Sequence, residues 1–486
     1  VKICVSIGET SAAAVLERLG SGATADLFEI RFDHLPDDER DRLVELLADA
    51  DLRAKIIATL RPVAEGGLSR LSREERIAFF SRINGYYACD LEEDIADIAP
   101  ATQKKIVSFH NHSGVPDDLE QIFDRLVSYR PDIVKIACSV NDAVDAVPIW
   151  KLLTRKDRYK VEVVPIAMGE AGKWTRILGP AFGAPISYAA ANKGKATAAG
   201  QFSMSELENR FRIRGITPDT SIFGVIGDPV TSSLSPAMHN SAYAAKGDDA
   251  VFIPFQVKNV EAFFRRMVRH KSREVELNFR GFAVTMPHKL TVIPLLDEID
   301  DAASEIGAVN TVDFSDGKLT GRNTDAAGFL APITNRFGDI SGMRFAVIGA
   351  GGAARACIYA LKRAGAEAVV FARCTSKAYA EFFNLGVAVE RFNAQTSFAG
   401  FDIVVNATPV GMKGEILLSA EQLPDVRCVY DLVTGETPLT SDAHARGIEV
   451  IKGREMLLEQ GILQYEIWMK KAAPREAMRR ALDEVC

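Results

Sequence analysis

Residues 133–140, Ile-Val-Lys-Ile-Ala-Cys-Ser-Val, form an apolar, β-branched run with Lys135 near its centre. Such a run fits a strand buried on both faces, and strands of that kind belong to parallel sheets covered by helices. Similar runs recur on either side: KICVSI (2–7), DLFEIRFD (26–33), KIIATLR (55–61), YYACDLE (86–92), KKIVSFH (104–110), KVEVVPIAMG (160–169) and ISYAA (186–190). Helical stretches alternate with them, among them SREERIAFFSRI (72–83) and PDDLEQIFDRLVSY (116–129). This repetition predicts an N-terminal (β/α)8 TIM barrel over residues 1–217, with its working face at the C-terminal ends of the strands.

The polar residues fall at that face. Side chains alternate along a strand, so Glu29 and Arg31 share one side, as do Asp90 and Glu92. Arg61 ends the third strand, His110 ends the fifth, and Lys135 lies on the sixth. Burial disfavours the ammonium form of Lys135 and leaves an amine that can attack a carbonyl. The alternative is an edge-strand lysine that discourages aggregation. The surrounding charges are either a reaction site or a salt-bridge network that closes the barrel. An unperturbed histidine titrates near neutral pH, so His110 reads as a proton carrier. His110 and His112 point the same way on a strand, but no third ligand of recognisable spacing accompanies them, and no metal is expected.

At 486 residues the chain exceeds one ordinary core, and at roughly 150 residues per domain it should hold two to four. Its net charge of −7 is mild and spread out, which indicates neither a nucleic-acid footprint nor a membrane-surface patch. The seven cysteines (Cys4, Cys89, Cys138, Cys357, Cys374, Cys428 and Cys486) form no CxxC pair and read as reduced packing residues. No apolar run has the length of a membrane span. A cytoplasmic location is expected, or a plastid if a transit peptide has been removed before Val1.

A polar segment with a proline, TPDTS (217–221), follows the helical stretch SMSELENRFRIRG (203–215), and a fresh strand, IFGVIG, begins after it. Further on, RFAVIGAGGAARACIYALKRAG (344–365) reads as a strand, a glycine turn and a helix. The pattern Gly349-x-Gly351-x-x-Ala354 lets backbone approach a pyrophosphate at the helix N-terminus, a Rossmann arrangement. The next strand, EAVVFAR, ends in Arg373 where a carboxylate would receive a ribose hydroxyl. A cation there, with Lys377 nearby, fits a 2′-phosphate and so NADP over NAD; the alternative is a solubilising surface arginine.

The first half resembles the type I 3-dehydroquinate dehydratases in FEIRFD, TLRP with EGG, CDLE, SFH, VKIA, MGEAGKWTR, and FGAP with TAAGQ. The resemblance implies that Lys135 is a Schiff-base lysine and His110 the general acid and base. It implies that Glu29, Arg31, Arg61, Arg176, Thr197 and Gln201 hold the substrate, while Asp90 and Glu92 fix His110 and the floor of the site. The last loop departs from the usual Ser-Ala-Pro-Gly-Gln, reading Thr197-Ala198-Ala199-Gly200-Gln201.

From about residue 219 the chain resembles shikimate dehydrogenase, through GDPVTSSLSPAMHN, VTMPHK, GAVNT, NTDAAG, NATPVGM and EMLLEQG. That resemblance implies that Ser233 and Ser235 bind a carboxylate, and that Thr285, Asn310, Asp325 and Gln460 bind ring hydroxyls. Lys289 and Asp325 would form the proton-transfer dyad. The cofactor site would comprise Gly349, Gly351, Gly352, Ala353, Ala354, Arg373, Lys377, Thr408 and Gly453. Ala283 replaces a family asparagine, Ala372-Arg373-Cys374 replaces Asn-Arg-Thr, and the Thr434-Gly435 stretch is shorter than the family's. The expected domains are a substrate-binding domain at 218–327, completed by helices in 455–486, and a Rossmann domain at 328–454.

Together the halves resemble the bifunctional 3-dehydroquinate dehydratase/shikimate dehydrogenases. The substrates implied are 3-dehydroquinate, 3-dehydroshikimate and shikimate, with no nucleic-acid or membrane partner and a monomer or weak homodimer as the assembly. Two other readings stand beside this one: an aldolase-like barrel joined to a quinate dehydrogenase, and a metabolite-sensing regulator with inactive sites.

Overall fold

A computed structural model describes residues 1–484 apart from 22–24, 49–50, 193, 316 and 383–384. Cys486 therefore lies outside the described residues, as does the side chain of Lys377. The chain divides into two compact units. One holds Val1–Thr220, Pro229–Thr231 and Ile253–Asn278; the other holds Ser221–Asp228, Ser232–Phe252 and Phe279–Cys486.

The first unit contains eight parallel strands: β1 (Lys2–Ile7), β2 (Leu27–Arg31), β3 (Ile56–Thr59), β4 (Ala88–Glu92), β5 (Lys104–Asn111), β6 (Ile133–Ser139), β7 (Glu162–Met168) and β8 (Ile186–Ala190). They are paired in the order β7-β6-β5-β4-β3-β2-β1-β8, a nearly closed barrel. No described ladder joins β7 to β8, and β7 carries Pro165, which has no N–H to give. Around the ring run α1 (Ala12–Gly20), α2 (Asp37–Leu46), α3 (Arg73–Ser81), α4 (Leu119–Ser128), α5 (Val147–Lys151), α6 (Lys156–Tyr159) and α7 (Lys173–Leu178). Helix α3 begins with a complete capping box, Ser72 with Glu75, which satisfies two otherwise orphaned amides. Apolar side chains including Cys4, Leu27, Ile57, Ile106, Ile133, Val164 and Ile186 fill the barrel interior.

Two elements differ from the sequence expectation. The stretch read as a helix at 203–215 contains a π-turn over Glu206–Arg210 and a short 3₁₀ turn at Ile213–Gly215. Residues 253–278 group with the barrel although they lie far along the chain. Asp142 is one reason: its carboxylate accepts from the backbone N–H groups of Val144 at 3.2 Å, Lys258 at 2.9 Å and Asn259 at 2.8 Å. That segment carries α9 (Val260–Phe263), which Asn259 caps.

Two further sheets follow along the chain. The first pairs β9 (Ser221–Gly227), β10 (Ala250–Gln256), β11 (Phe279–Val284), β12 (Glu298–Ile299), β13 (Thr311–Ser315) and β14 (Lys318–Arg322) in the order β10-β9-β11-β13-β14-β12. Helices α8 (Ser235–Lys246), α10 (Asp301–Ile306) and α11 (Asp325–Phe337) belong to this part. The second sheet pairs β15 (Arg344–Ile348), β16 (Glu367–Ala372), β17 (Ala388–Arg391), β18 (Ile403–Asn406), β19 (Cys428–Asp431) and β20 (Glu449–Lys452) in the order β17-β16-β15-β18-β19-β20, all parallel. Its helices are α12 (Gly352–Arg363), α13 (Thr375–Phe382) and α14 (Pro438–Ala445); α15 (Gly453–Met469) and α16 (Arg475–Glu484) follow. The strand order reverses between β15 and β18, and a crevice for a ligand forms at such a switch point.

Candidate functional site

The barrel cleft, about 640 Å³ including its mouth, is lined by Glu29, Arg31, Arg61, Glu65, His110 and Lys135, with Arg176, Tyr188, Thr197 and Gln201 on the far side. Strand alternation explains the set: Lys135, Ala137 and Ser139 of β6 all face the cleft. Lys135 is 4% exposed, so it is no edge-strand lysine. Its Nζ donates to Asp90 at 2.8 Å and Glu29 at 3.2 Å, and it lies 4.3 Å from the centre of the Tyr188 ring. The sequence led us to expect ionisable residues converging on this lysine, and the structure pairs it with two of them, Glu29 and Asp90.

Arg61 organises the floor. It donates to Asp90 at 2.7 Å, Glu92 at 2.8 Å and Ser108 at 2.7 Å. Burial works against a charge on Asp90, yet Arg61 and Lys135 hold its carboxyl well below the usual range. Glu92 accepts from Arg76 as well, at 3.0 Å. Neither Asp90 nor Glu92 hydrogen-bonds His110; their described bonds go to Arg61, Arg76 and Lys135 at the floor of the site. Arg61 and Lys135 share one Asp90 oxygen, and Arg61 and Arg76 take one Glu92 oxygen each.

The partner of His110 is Glu65. One carboxylate oxygen meets both the His110 backbone N–H and Nδ1, each at 3.1 Å. Burial, with Arg61 and Lys135 nearby, depresses His110 well below its ordinary range, so its ring is neutral. Burial also raises Glu65 to about 7, against the pull of Arg61. Glu65 sits in a 3₁₀ turn, Val63–Glu65, and the following Gly66 has φ of +78° with the His112 ring against it. Asp33 anchors the same loop: it accepts Leu68 N–H at 3.0 Å and grips Arg31 through both oxygens, at 2.8 and 2.7 Å.

Arg176 is buried with only one described hydrogen bond, to Ala199 O at 3.4 Å; its Nε has none. Burial lowers it to about 10, still far above neutrality. A buried cation with free donors calls for an anion, and a carboxylate matches its fork. Gln201 folds back, its Oε1 accepting from Thr197 N at 2.9 Å and Ala198 N at 3.3 Å.

In the second unit Lys289 pairs with Asp325 Oδ2, and Asn310 Nδ2 donates to the other oxygen at 2.8 Å. Asn310 also donates to Thr324 Oγ1 at 2.9 Å and reaches Gln460 Oε1 at 3.4 Å. Asp325 opens α11, and Asn323 caps that turn by accepting the Asp325 N–H at 3.0 Å. Ser233 and Ser235 stand at the start of α8, where Ser233 Oγ accepts the Ser235 N–H at 3.3 Å. Thr285 directly follows β11 and is half-buried. Asn323, Thr324 and Glu65 were missed in the sequence, although an Asn two residues before an Asp at a helix start is itself a capping signal.

The glycine turn fits a dinucleotide. Gly349 has φ of +124° and backs onto Ala407 O; Gly351 faces open space, and a Cβ on Gly352 would press on the Lys289 stem at 3.3 Å. The phosphate-binding turn thus lies beside the Lys289–Asp325 pair. Ala353 is half-buried and Ala354 fully buried, so Ala354 packs helix on sheet and does not face the turn's open side. Thr408 follows β18 at the switch point, its hydroxyl on Asn406 Oδ1 at 2.7 Å. Gly453 is required by protein packing, because a Cβ there would collide with Leu432 O. Arg373 is exposed at the end of β16, and Lys377 lies one turn into α13. The short segment after β19 is tied down by Asp431, which accepts from Thr437 Oγ1 at 2.6 Å, Asn406 Nδ2 at 2.9 Å and Val433 N at 3.0 Å.

Among the described residues no cluster of metal-ligating side chains occurs, and no helix is long and apolar enough to cross a membrane.

Three family models match this chain: type I 3-dehydroquinase over residues 3–218, the shikimate dehydrogenase substrate-binding domain over 225–312, and the shikimate 5′-dehydrogenase C-terminal domain over 453–482. A chloroplastic bifunctional 3-dehydroquinate dehydratase/shikimate dehydrogenase of Arabidopsis thaliana is 31% identical, covering 93% of this chain and 79% of its own. The NADP(+) shikimate dehydrogenase of Citrifermentans bemidjiense is 38% identical over 55% of this chain and 96% of its own. A solved shikimate dehydrogenase in complex with NADP+ superposes with a TM-score of 0.51 and 31% identity, covering 56% of this chain and 97% of that one. The match across nearly the whole chain, barrel and dehydrogenase together, means that this chain belongs to the bifunctional 3-dehydroquinate dehydratase/shikimate dehydrogenase family.

Proposed function

We propose that the barrel dehydrates 3-dehydroquinate through an imine on Lys135, and that the second unit reduces the product, 3-dehydroshikimate, to shikimate with NADPH. The observation that carries the first half is one cleft holding a buried lysine, a neutral histidine and a buried arginine with free donors. Arg176 takes the substrate carboxylate; Arg31, Thr197 and Gln201 take carboxylate and hydroxyl oxygens. Lys135, ion-paired in the resting cleft, gives a proton to the neutral His110 ring, and its free amine adds to the ketone. His110 returns that proton to the carbinolamine oxygen, and water leaves to give an iminium, which acidifies the adjacent carbon. His110 removes a proton from that carbon, then returns it to the departing hydroxyl one carbon further on, so the second water leaves. Hydrolysis of the imine frees the enone product and the lysine. Glu65 fixes the His110 tautomer by taking the Nδ1 proton's hydrogen bond, which leaves Nε2 as the base.

In the second unit Ser233 and Ser235 bind the carboxylate, and Thr285, Asn310 and Gln460 the ring hydroxyls. Gly349, Gly351, Gly352 and Ala353 hold the pyrophosphate, Thr408 borders the same crevice, and Arg373 with Lys377 holds the 2′-phosphate. NADPH, when bound, supplies hydride to the carbonyl carbon. Lys289 donates a proton to the carbonyl oxygen, and Asp325 pairs with that lysine and aims it. The functional limits proposed are 1–217, 218–327 with 455–486, and 328–454. A monomer or weak homodimer in the cytoplasm completes the reading.

The test is incubation with 3-dehydroquinate and NADPH, following enone absorbance and NADPH loss, then repetition with NADH. Borohydride added with 3-dehydroquinate should fix a stable adduct on Lys135. Enone formation by Lys135→Ala would overturn the imine mechanism, and neither signal in the unaltered protein would favour a regulator with inactive sites.

A further inference from the structure

Behind Asn310 lies a buried polar chain that no step above uses. It begins at His239 of α8, which is completely buried and stacks on Phe252 with ring centres 4.5 Å apart. Burial lowers His239 to about 3, so the ring is neutral and carries one proton. Its Nε2 lies 3.3 Å from Gln464 Oε1, while Nδ1 has no partner. Gln464, on α15 and 1% exposed, donates through Nε2 to Asn310 O at 3.3 Å and Thr311 Oγ1 at 3.0 Å. Thr311 Oγ1 donates to Asn310 Oδ1 at 2.8 Å, and Asn310 Nδ2 donates to Asp325 Oδ1.

Backbone groups at two points set the direction of the chain. Asn310 O can only accept, so the Gln464 amide must turn its NH2 that way and its oxygen towards His239. The proton of His239 therefore sits on Nε2. Asn310 Oδ1 accepts the Thr324 N–H at 2.8 Å and so is the oxygen; Thr311, accepting from Gln464, donates to it at 2.8 Å, and the Asn310 NH2 faces Asp325. The chain runs as successive donors, His239 to Gln464 to Thr311 to Asn310, and ends on an anion, where aligned donors reinforce one another.

We propose that His239, Gln464 and Thr311 are positioning residues for the dehydrogenase: this one-way relay holds Asn310 and Asp325 in the geometry that aims Lys289. The inference rests on the assignment of Lys289 and Asp325 as the reacting pair.

Substitutions at Thr311 separate relay from packing because the two roles predict opposite signs. Thr311→Val keeps the shape and removes the hydroxyl; Thr311→Ser keeps the hydroxyl and removes a methyl. The relay predicts that Val lowers kcat for 3-dehydroshikimate reduction about 10-fold, whereas Ser stays within about 2-fold. Shikimate affinity, measured by calorimetry without cofactor, should change less than about 3-fold in either. Gln464→Met and His239→Phe, both close in shape, should also lower kcat, and the Thr311→Val/Gln464→Met double variant should be no worse than the poorer single one, since both cut one chain. A harmless Val with a harmful Ser, or strictly additive losses in the double variant, would overturn the proposal. Asp325→Asn is the control: if it reduces 3-dehydroshikimate at the normal rate, the dyad assignment itself fails; if it is inactive while Thr311→Val is normal, only the relay fails.

Discussion

A single oxygen of Glu65 receives both the backbone N–H and Nδ1 of His110, each at 3.1 Å. An ionised Glu65 therefore fixes the histidine's position and its tautomer at once. Glu65→Gln preserves the shape and should lower dehydratase kcat about 10- to 100-fold, with KM little changed.

The same contact sets a pH dependence. Glu65 is raised to about 7 from an ordinary value of 4.5. Dehydratase activity should fall as pH drops through about 7, as Glu65 gains a proton and releases Nδ1. The stability sign is opposite. A neutral Glu65 favours the folded state below its unfolded-chain value, and this contribution is lost as pH rises through about 7. Glu65→Gln should therefore raise Tm relative to the unaltered protein at pH near 8 and leave it unchanged near pH 4. Thermal melts at both values, beside a pH–rate profile, check the pair of signs.

The two reactions use separate residues, so they should be separable. Lys135→Ala should abolish enone formation and borohydride trapping while leaving 3-dehydroshikimate reduction within about 2-fold. A parallel loss of both activities would mean that the substitution had damaged more than the barrel site.

Cofactor choice should follow Arg373. Replacing it by Asp exchanges a partner for the 2′-phosphate for a partner for the ribose hydroxyl. KM for NADPH should rise about 10- to 100-fold, while use of NADH improves. Unchanged KM values for both cofactors would assign Arg373 to the solvent-facing surface alone.

Gly200 has φ of +76°, and a Cβ there would collide with Gly169 O. Gly200→Ala should distort the Thr197–Gln201 turn, whose Ala199 carbonyl touches Arg176. Strain of about 1–3 kcal/mol should appear as a raised KM for 3-dehydroquinate, with the dehydrogenase unaffected.

The barrel was legible because β-branched runs and amphipathic helices alternate with a regular spacing that few other folds share. Lys135 and His110 were legible for a related reason: an ionisable residue inside such a run has nowhere to go but the cleft. Alternation also placed Glu29 and Arg31 on one side, and both line that cleft. It could not tell which oxygen each arginine claims. The family resemblance assigned Asp90 and Glu92 to His110 and the floor of the site, whereas Arg61 and Arg76 bind them; arginine reach spans several strands and leaves no periodic mark. Glu65 was quoted only within the EGG motif and given no role, because it lies in a turn, outside any strand register. The relay behind Asn310 was hidden for a different reason, since it joins α8, β13 and α15 across more than 200 residues of chain.

The unpaired seam between β7 and β8 has a consequence for dynamics. Ile166, Arg176 and Tyr188 border that seam and also line the cleft. A ligand seated there, bonded to Lys135 on β6 and clasped by Arg176 between β7 and β8, would act as the missing rung of the barrel. Amide protons along the seam would then exchange fastest in the empty enzyme and slow once the imine forms, making the substrate a transient staple of the fold that consumes it.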